Sequence, residues 1–470
     1  MFELHHLTAL EQLDWLRRGE VTPLDLVEHY LARIEEKDAG LGAFAEVTPE
    51  RARQRAAAVM DLSHAVPIWG LPFGDKDLVA REGVPTRFGS RAFADHVPTA
   101  SDELAVVLDD AGGISLGKTS VPEFGFPSYT EPLAGPIARN PYDTALGAGG
   151  SSGGAAVAVA AGFLPFAPGS DGGGSIRIPA AATGLVGLKP SRGRVAAKSG
   201  FDTLAGLVAA GPLARTVADA ALLLDALVGP GPSPWATVAP TWDGGPFLGA
   251  AVRGEGRFSI GVSQDSPWAT AFDLDLAPEA EEALQVAIRE LDAIGHGVDE
   301  LRFEPEPGYA AAFRTVWQAS AAGLPLEHAQ LELVEPLTRW LVDTGRRLGA
   351  RELGEALAWL TGFERRFIAQ AARVDVVLTP ALALTPRPIG WYDADDGERN
   401  FAQQVLYTPY TSMVNVSGLP AIVLPVHVTA EGLPMGVQLI GCPGREDVLL
   451  AIGAQLERRM NWGRRHPPQW

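Results

Sequence analysis

From Gly147 to Ser175, fourteen of 29 positions are glycine or serine, wrapped around a run of alanine and valine. Glycine at this density lets a backbone turn tightly and approach other atoms closely. The segment therefore reads as two glycine-rich loops flanking a short helix. The loops are Gly149-Gly150-Ser151-Ser152-Gly153-Gly154 and Gly172-Gly173-Gly174-Ser175-Ile176-Arg177, with Ser175 24 residues beyond Ser151. Between them, Ala155 to Ala167 is the longest apolar stretch, at 13 residues, and Gly162 and Pro165 interrupt it. Spanning a bilayer takes roughly 20 residues, so this stretch is expected to be a buried helix that ends early.

Either loop alone is explained by a turn or an anion-binding nest. Together, two serines carried on glycine-rich loops suit nucleophilic chemistry, because glycines let backbone N–H groups converge beside a hydroxyl as an oxyanion hole. A hydroxyl needs a base, and neither loop contains a histidine. Lys76, in Pro72-Phe73-Gly74-Asp75-Lys76-Asp77-Leu78, is a candidate, since a buried lysine can be neutral near pH 7. Local sequence equally allows a surface ion pair between Lys76 and Asp75 or Asp77. Gly112-Gly113-Ile114-Ser115-Leu116-Gly117-Lys118-Thr119 fits a phosphate-loop pattern, but its setting does not. A helix precedes the first glycine, and Pro122 follows where a helix should start.

The chain has 470 residues and a formal net charge of −19, from 38 Lys+Arg against 57 Asp+Glu. That balance argues against nucleic-acid or anionic-membrane partners. With 46% hydrophobic and 20% charged residues, it is a globular composition. The single cysteine, Cys442, excludes an intramolecular disulfide framework. The nine histidines show no metal-ligand spacing; His5-His6 is expected to be a solvated pair, and neither metal nor cofactor is expected. No basic and then apolar leader opens the chain, so a cytoplasmic location is expected.

Apolar periodicity predicts two helices over residues 8–36, the second with Thr22 as N-cap and Pro23 at its first position. A helix from Leu104 and a strand over Gly113–Gly117 follow. Residues 229–245, rich in proline and glycine, read as a linker. A strand at Phe258–Val262, a helix at Pro278–Ile294 and amphipathic helices to about residue 372 come next. Strands at Val374–Leu378, Ala421–Val426 and Gly436–Ile440 and a helix near Glu446–Arg459 close the chain. Strands alternating with helices predict an α/β fold.

Lys76, the Gly-Gly-Ser-Ser-Gly-Gly box and Gly-Gly-Ser-Ile-Arg together resemble the amidase signature family of serine hydrolases. The similarity runs from about residue 66 to 228, through Gly117-Lys118-Thr119, Asn140-Pro141, Gly187-Leu188-Lys189-Pro190 and Gly211-Pro212-Leu213. It resumes at Asn415-Val416-Ser417-Gly418-Leu419-Pro420 and at Met435-Gly436-Val437-Gln438-Leu439-Ile440-Gly441. The resemblance implies one α/β/α amidase domain over 1–470, a large mixed twisted sheet with helices on both sides. Residues 66–228 would be its signature core, 229–400 a variable part shaping the pocket, and 401–470 a return to the core.

By position, the resemblance makes Ser175 the nucleophile, Ser151 the bridging serine and Lys76 the base of a Ser-Ser-Lys triad working through an acyl-enzyme. The amides of Gly172, Gly173, Gly174 and Ser175 would form the oxyanion hole. Ser152, Lys118, Asp171 and Arg177 would be structural. Phe124, Phe126, Tyr129 and Trp317, with Trp391 and Tyr392, are candidates to line an apolar site, although aromatics serve more often as core. The implied activity is hydrolysis of small aryl or aliphatic acyl amides, with esters and carbamates open and a homodimer compatible. The alternatives are the glutaminase-type A subunit of a tRNA-dependent amidotransferase and a non-catalytic amide binder. Tyr129-Thr130-Glu131-Pro132 is similar to hydrolases of nylon-type oligoamides.

Overall fold

The computed structural model describes residues 3–197, 200–201, 204–229 and 245–470. Nearly all of the expected linker, 229–245, lies outside the described residues. The N-terminal helices form as read: Ala9–Arg18 starts on a capping box between Thr8 and Glu11, and Pro23–Lys37 on one between Thr22 and Asp25. Their leucine faces join a core that runs from Ala9 to Trp462.

The scaffold is a mixed eight-stranded sheet. Its strands lie in the order Gly297–Glu300, Ser259–Val262, Val376–Pro380, Pro434–Gly441, Ala421–Val428, Val186–Lys189, Ala209–Ala214 and Phe166–Asp171. The first three are mutually parallel and every later pairing is antiparallel. Helices Pro278–Ile294, Glu446–Met460 and Arg177–Thr183 pack against it, which gives the expected α/β architecture with a large mixed sheet. A separate three-stranded sheet orders Phe44–Val47, Ile114–Thr119 and Pro72–Lys76, the last two parallel, and ends with Lys76 opposite Thr119.

Several elements differ from the sequence expectation for identifiable reasons. Phe166–Asp171 and Ala209–Ala214 are strands despite Pro168 and Pro212, which face each other across the pair. Phe166–Asp171 is an edge strand, and the pairing of Ala209–Ala214 with Val186–Lys189 stops at Leu213, so neither proline breaks an inner ladder. The apolar stretch divides: Gly153–Ala160 is a helix buried on every side, and Phe166–Ala167 already belong to the sheet. Lys118 and Thr119, within the phosphate-loop pattern, lie inside a fully buried strand.

His5 is not solvated. It is 2% exposed, its Nδ1 lies 3.1 Å from His29 Nε2, and burial holds its imidazole down to about 2, hence neutral. His6 is exposed as expected. No described helix is long and apolar enough to cross a membrane.

Candidate active site

Three segments distant in sequence meet at one end of the strand Phe166–Asp171. The strand Pro72–Lys76 delivers Lys76, which is 2% exposed. Its Nζ lies 2.9 Å from Ser151 Oγ, 3.0 Å from Ser170 Oγ and 3.2 Å from the Ser170 carbonyl. Burial pushes the Lys76 ammonium down to about 7, while the Asp171 carboxylate pulls it the other way. The surface-pair alternative does not hold. Asp75 is clamped by Arg81 at 2.7 Å, and Asp77 accepts from the Arg87 N–H and faces Lys118 at 3.6 Å. Lys118 itself bonds Thr86 Oγ1 at 3.0 Å and the Val79 carbonyl, as a structural lysine would.

The glycine loop before the helix Gly153–Ala160 presents Ser151, and the Gly150–Ser151 peptide is cis. Ser152 ties the two boxes together: its N–H donates to the Ser175 carbonyl at 3.1 Å, and its Oγ bridges to the Ser170 backbone. Ser175 follows the glycine triplet and is 8% exposed.

Asp171 shapes that triplet. Its Oδ1 accepts the Gly174 N–H at 2.7 Å and its Oδ2 the Ile176 N–H at 3.1 Å, while Arg177 grips both oxygens at 2.9 Å. Burial alone would raise the Asp171 carboxyl. Arg177, Lys189 and Asn415 outweigh it and hold the group well below the usual carboxylate range. Asn415 Nδ2 donates to the Asp171 carbonyl, Thr411 Oγ1 to the Gly173 carbonyl at 2.6 Å, and Arg177 to Gln438 Oε1.

One expectation needs correcting. The Gly174 N–H, expected in the oxyanion hole, is taken by Asp171. The amides of Gly172, Gly173 and Ser175 have no intramolecular acceptor among the described residues.

Two substitutions test this scaffold. Arg177→Met leaves Asp171 charged, buried and without its cation, and is expected to cost about 3–5 kcal/mol in a urea titration. Gly174 sits at φ +133°, and a Cβ there would lie 2.5 Å from Thr411 Oγ1 and 2.7 Å from Ile178 Cδ1. Gly174→Ala is therefore expected to displace the loop and lower kcat by about 100-fold, read in steady-state kinetics.

Ser175 opens onto two compartments. One, of about 480 Å³, is lined by Ser128, Gly173, Phe313, Phe401, Gln404 and Thr408 among others. The other, of about 820 Å³, holds Ser151 and Ser170 together with Leu78, Phe201, Leu207 and Leu324. Phe126 and Trp317, edge to face at 5.3 Å, border both, and Phe124 lines the larger.

Tyr129 lines neither compartment. Its ring stacks on Tyr392 at 4.0 Å and its hydroxyl accepts from Asn400, because this tyrosine backs the glycine loop from behind. A Cβ on Gly150 would meet the Tyr129 carbonyl carbon at 2.6 Å. Trp391 and Tyr392 belong to the same packing.

Sequence reading missed Ser170, Thr411, Asn415 and Gln438. Asn415 and Gln438 stood inside resembling segments, but their bonds to Arg177 and Asp171 span more than two hundred residues.

The Amidase family model matches residues 25–450. AmiB2 of Mycobacterium tuberculosis is 37% identical over 474 residues, covering 98% of this chain and 97% of that protein. The A subunit of the glutamyl-tRNA(Gln) amidotransferase of Roseiflexus sp. is 32% identical over 494 residues, at 99% and 98% coverage. The structure of 6-aminohexanoate cyclic dimer hydrolase complexed with substrate superimposes with a TM-score of 0.89 at 29% identity, covering 99% of both chains. Fold and relatives make this protein an amide-bond hydrolase on an α/β scaffold. The chain belongs to the amidase signature family.

Proposed function

We propose that the protein hydrolyses linear amides of small molecules, with Ser175 as nucleophile, Ser151 as proton relay and Lys76 as base. The observation that carries this reading is the contact at 2.9 Å between a buried Lys76 Nζ and Ser151 Oγ, beside a cavity that Ser175 also lines. Neutral Lys76 takes the proton of Ser151 as Ser151 takes that of Ser175, and Ser175 Oγ adds to the carbonyl carbon. The resulting oxyanion is met by the free amides of Gly172, Gly173 and Ser175.

Collapse breaks the C–N bond, and the leaving nitrogen takes its proton from Ser151, which Lys76 replenishes. Water, deprotonated through the same relay, cleaves the acyl-serine ester and releases the carboxylic acid. Ser170 Oγ, at 3.0 Å, holds Nζ in line. An acyl-enzyme of this kind also accepts esters and carbamates.

The relative that hydrolyses the 6-aminohexanoate cyclic dimer supports a free-standing amidase. The amidotransferase subunit among the relatives supports the other reading, in which glutamine is the ammonia donor. A panel of an aryl anilide, an aliphatic amide, a p-nitrophenyl ester, an aryl carbamate and glutamine, run with Ser175→Ala alongside, tests the proposal. Turnover of anilide or aliphatic amide that the variant lacks is the expected result. Turnover of glutamine alone would move the protein to the amidotransferase class.

A further inference from the structure

The two compartments at Ser175 differ in what they offer a substrate. Only the larger holds Ser151, the hydroxyl that returns a proton to the departing nitrogen. A proton passes only over hydrogen-bond distance, so the leaving amine must face that compartment and the acyl group the smaller one. This step rests on the proposed triad.

The smaller compartment has no charged side chain in its lining. Apart from the Ser175 hydroxyl and the buried Ser128 Oγ, which has no hydrogen-bond partner among the described residues, its polar side chains are engaged by their own neighbours. Gln404 Oε1 accepts from the Ser128 N–H at 2.8 Å, and Gln404 Nε2 donates to Asn400 at 2.8 Å. Thr408 Oγ1 donates to the Gln404 carbonyl, and Ser412 Oγ receives the Trp268 indole N–H at 2.9 Å. The rest of the wall is Ile178, Phe313, Phe401 and Val405 with the Phe126–Trp317 pair. A charged acyl group entering here loses its hydration and finds no counter-charge.

We infer that the site takes an uncharged, apolar acyl group in the compartment walled by Phe401, Val405 and Thr408, seats the leaving amine on the Ser151 side, and rejects the γ-glutamyl zwitterion. Glutamine is thereby a poor substrate even with the nucleophile and base in place. On the amine side, Leu78, Phe124, Phe201 and Leu207 favour an amine with an apolar substituent.

A p-nitroanilide series fixes the amine and varies the acyl group among acetyl, butyryl, hexanoyl and γ-glutamyl. Butyryl is expected to exceed γ-glutamyl in kcat/KM by at least about 100-fold. A ratio within about threefold would overturn the inference.

Two variants test the sidedness. Val405→Trp, filling the smaller compartment, is expected to raise the acetyl-over-hexanoyl ratio by about tenfold. Val208→Trp, at a half-exposed position on the larger compartment, is expected to change the ratio of acetamide to acetanilide while leaving the acyl ratio unmoved. The reverse pattern, with Val208→Trp shifting acyl preference, would overturn it, and if Val405→Trp fails to fold, Val208→Trp and the wild-type series still decide. Retained activity in Ser175→Ala would instead strike the nucleophile assignment, a separate readout from these ratios.

Discussion

Ser175→Ala is expected to lower kcat/KM on every amide by at least about 10⁴-fold, because it removes the hydroxyl proposed to form the covalent intermediate. The substitution removes one oxygen and little else. The Ser175 hydroxyl is part of no hydrogen bond among the described residues, whereas its carbonyl, which accepts from Ser152, belongs to the backbone and stays. Unfolding stability is therefore expected to change by less than about 1 kcal/mol in a denaturant titration. Loss of activity together with loss of fold would mean that the residue supports the loop, and retained activity would mean that another group attacks the carbonyl.

Lys76→Met is expected to cost about 10³-fold or more in kcat while raising stability. The kinetic loss follows from removing the only base in contact with Ser151 among the described residues. The stability gain follows from linkage. Burial lowers the Lys76 ammonium from an ordinary 10.5 to about 7, so between those pH values the unfolded chain binds a proton that the native one does not. Wild-type stability should therefore rise with pH across that window, and the variant should lose this dependence. The kinetic sign is the same: the neutral amine is the active form, so kcat/KM should climb through pH of about 7 and level off above it. A rate profile flat from pH 6 to 9 would remove Lys76 from the base role. A functional lysine that costs stability is a common form of trade between activity and stability.

How far the sequence revealed this arrangement depended on range. The two glycine-rich boxes were legible because close backbone approach leaves a compositional trace, and Lys76 because few bases stand in similarly marked segments. The helices Pro23–Lys37 and Pro278–Ile294 were legible from periodicity and from proline at the first turn. The strands Phe166–Asp171 and Ala209–Ala214 were not, since both are buried and carry prolines whose tolerance depends on sheet position. Ser170 reaches Lys76 only because that edge strand ends where the strand Pro72–Lys76 ends. His5 was misjudged for a related reason: its partners His29 and Trp470 arrive from far along the chain. Gly174 was assigned to the oxyanion hole by position, and only the geometry of Asp171 reveals that its N–H is already taken.

The most direct test of the Ser-Ser-Lys assignment is to trap the intermediate. The protein would be mixed rapidly with p-nitrophenyl butyrate, quenched in acid within the first turnover, digested and sequenced by tandem mass spectrometry. Ser175 as nucleophile predicts a butyryl adduct on that residue, present in wild type, absent in Ser175→Ala and slow to form in Lys76→Met. A butyryl group on Ser151 or Ser170 instead, or rapid p-nitrophenol release with no adduct on Ser175, would contradict it.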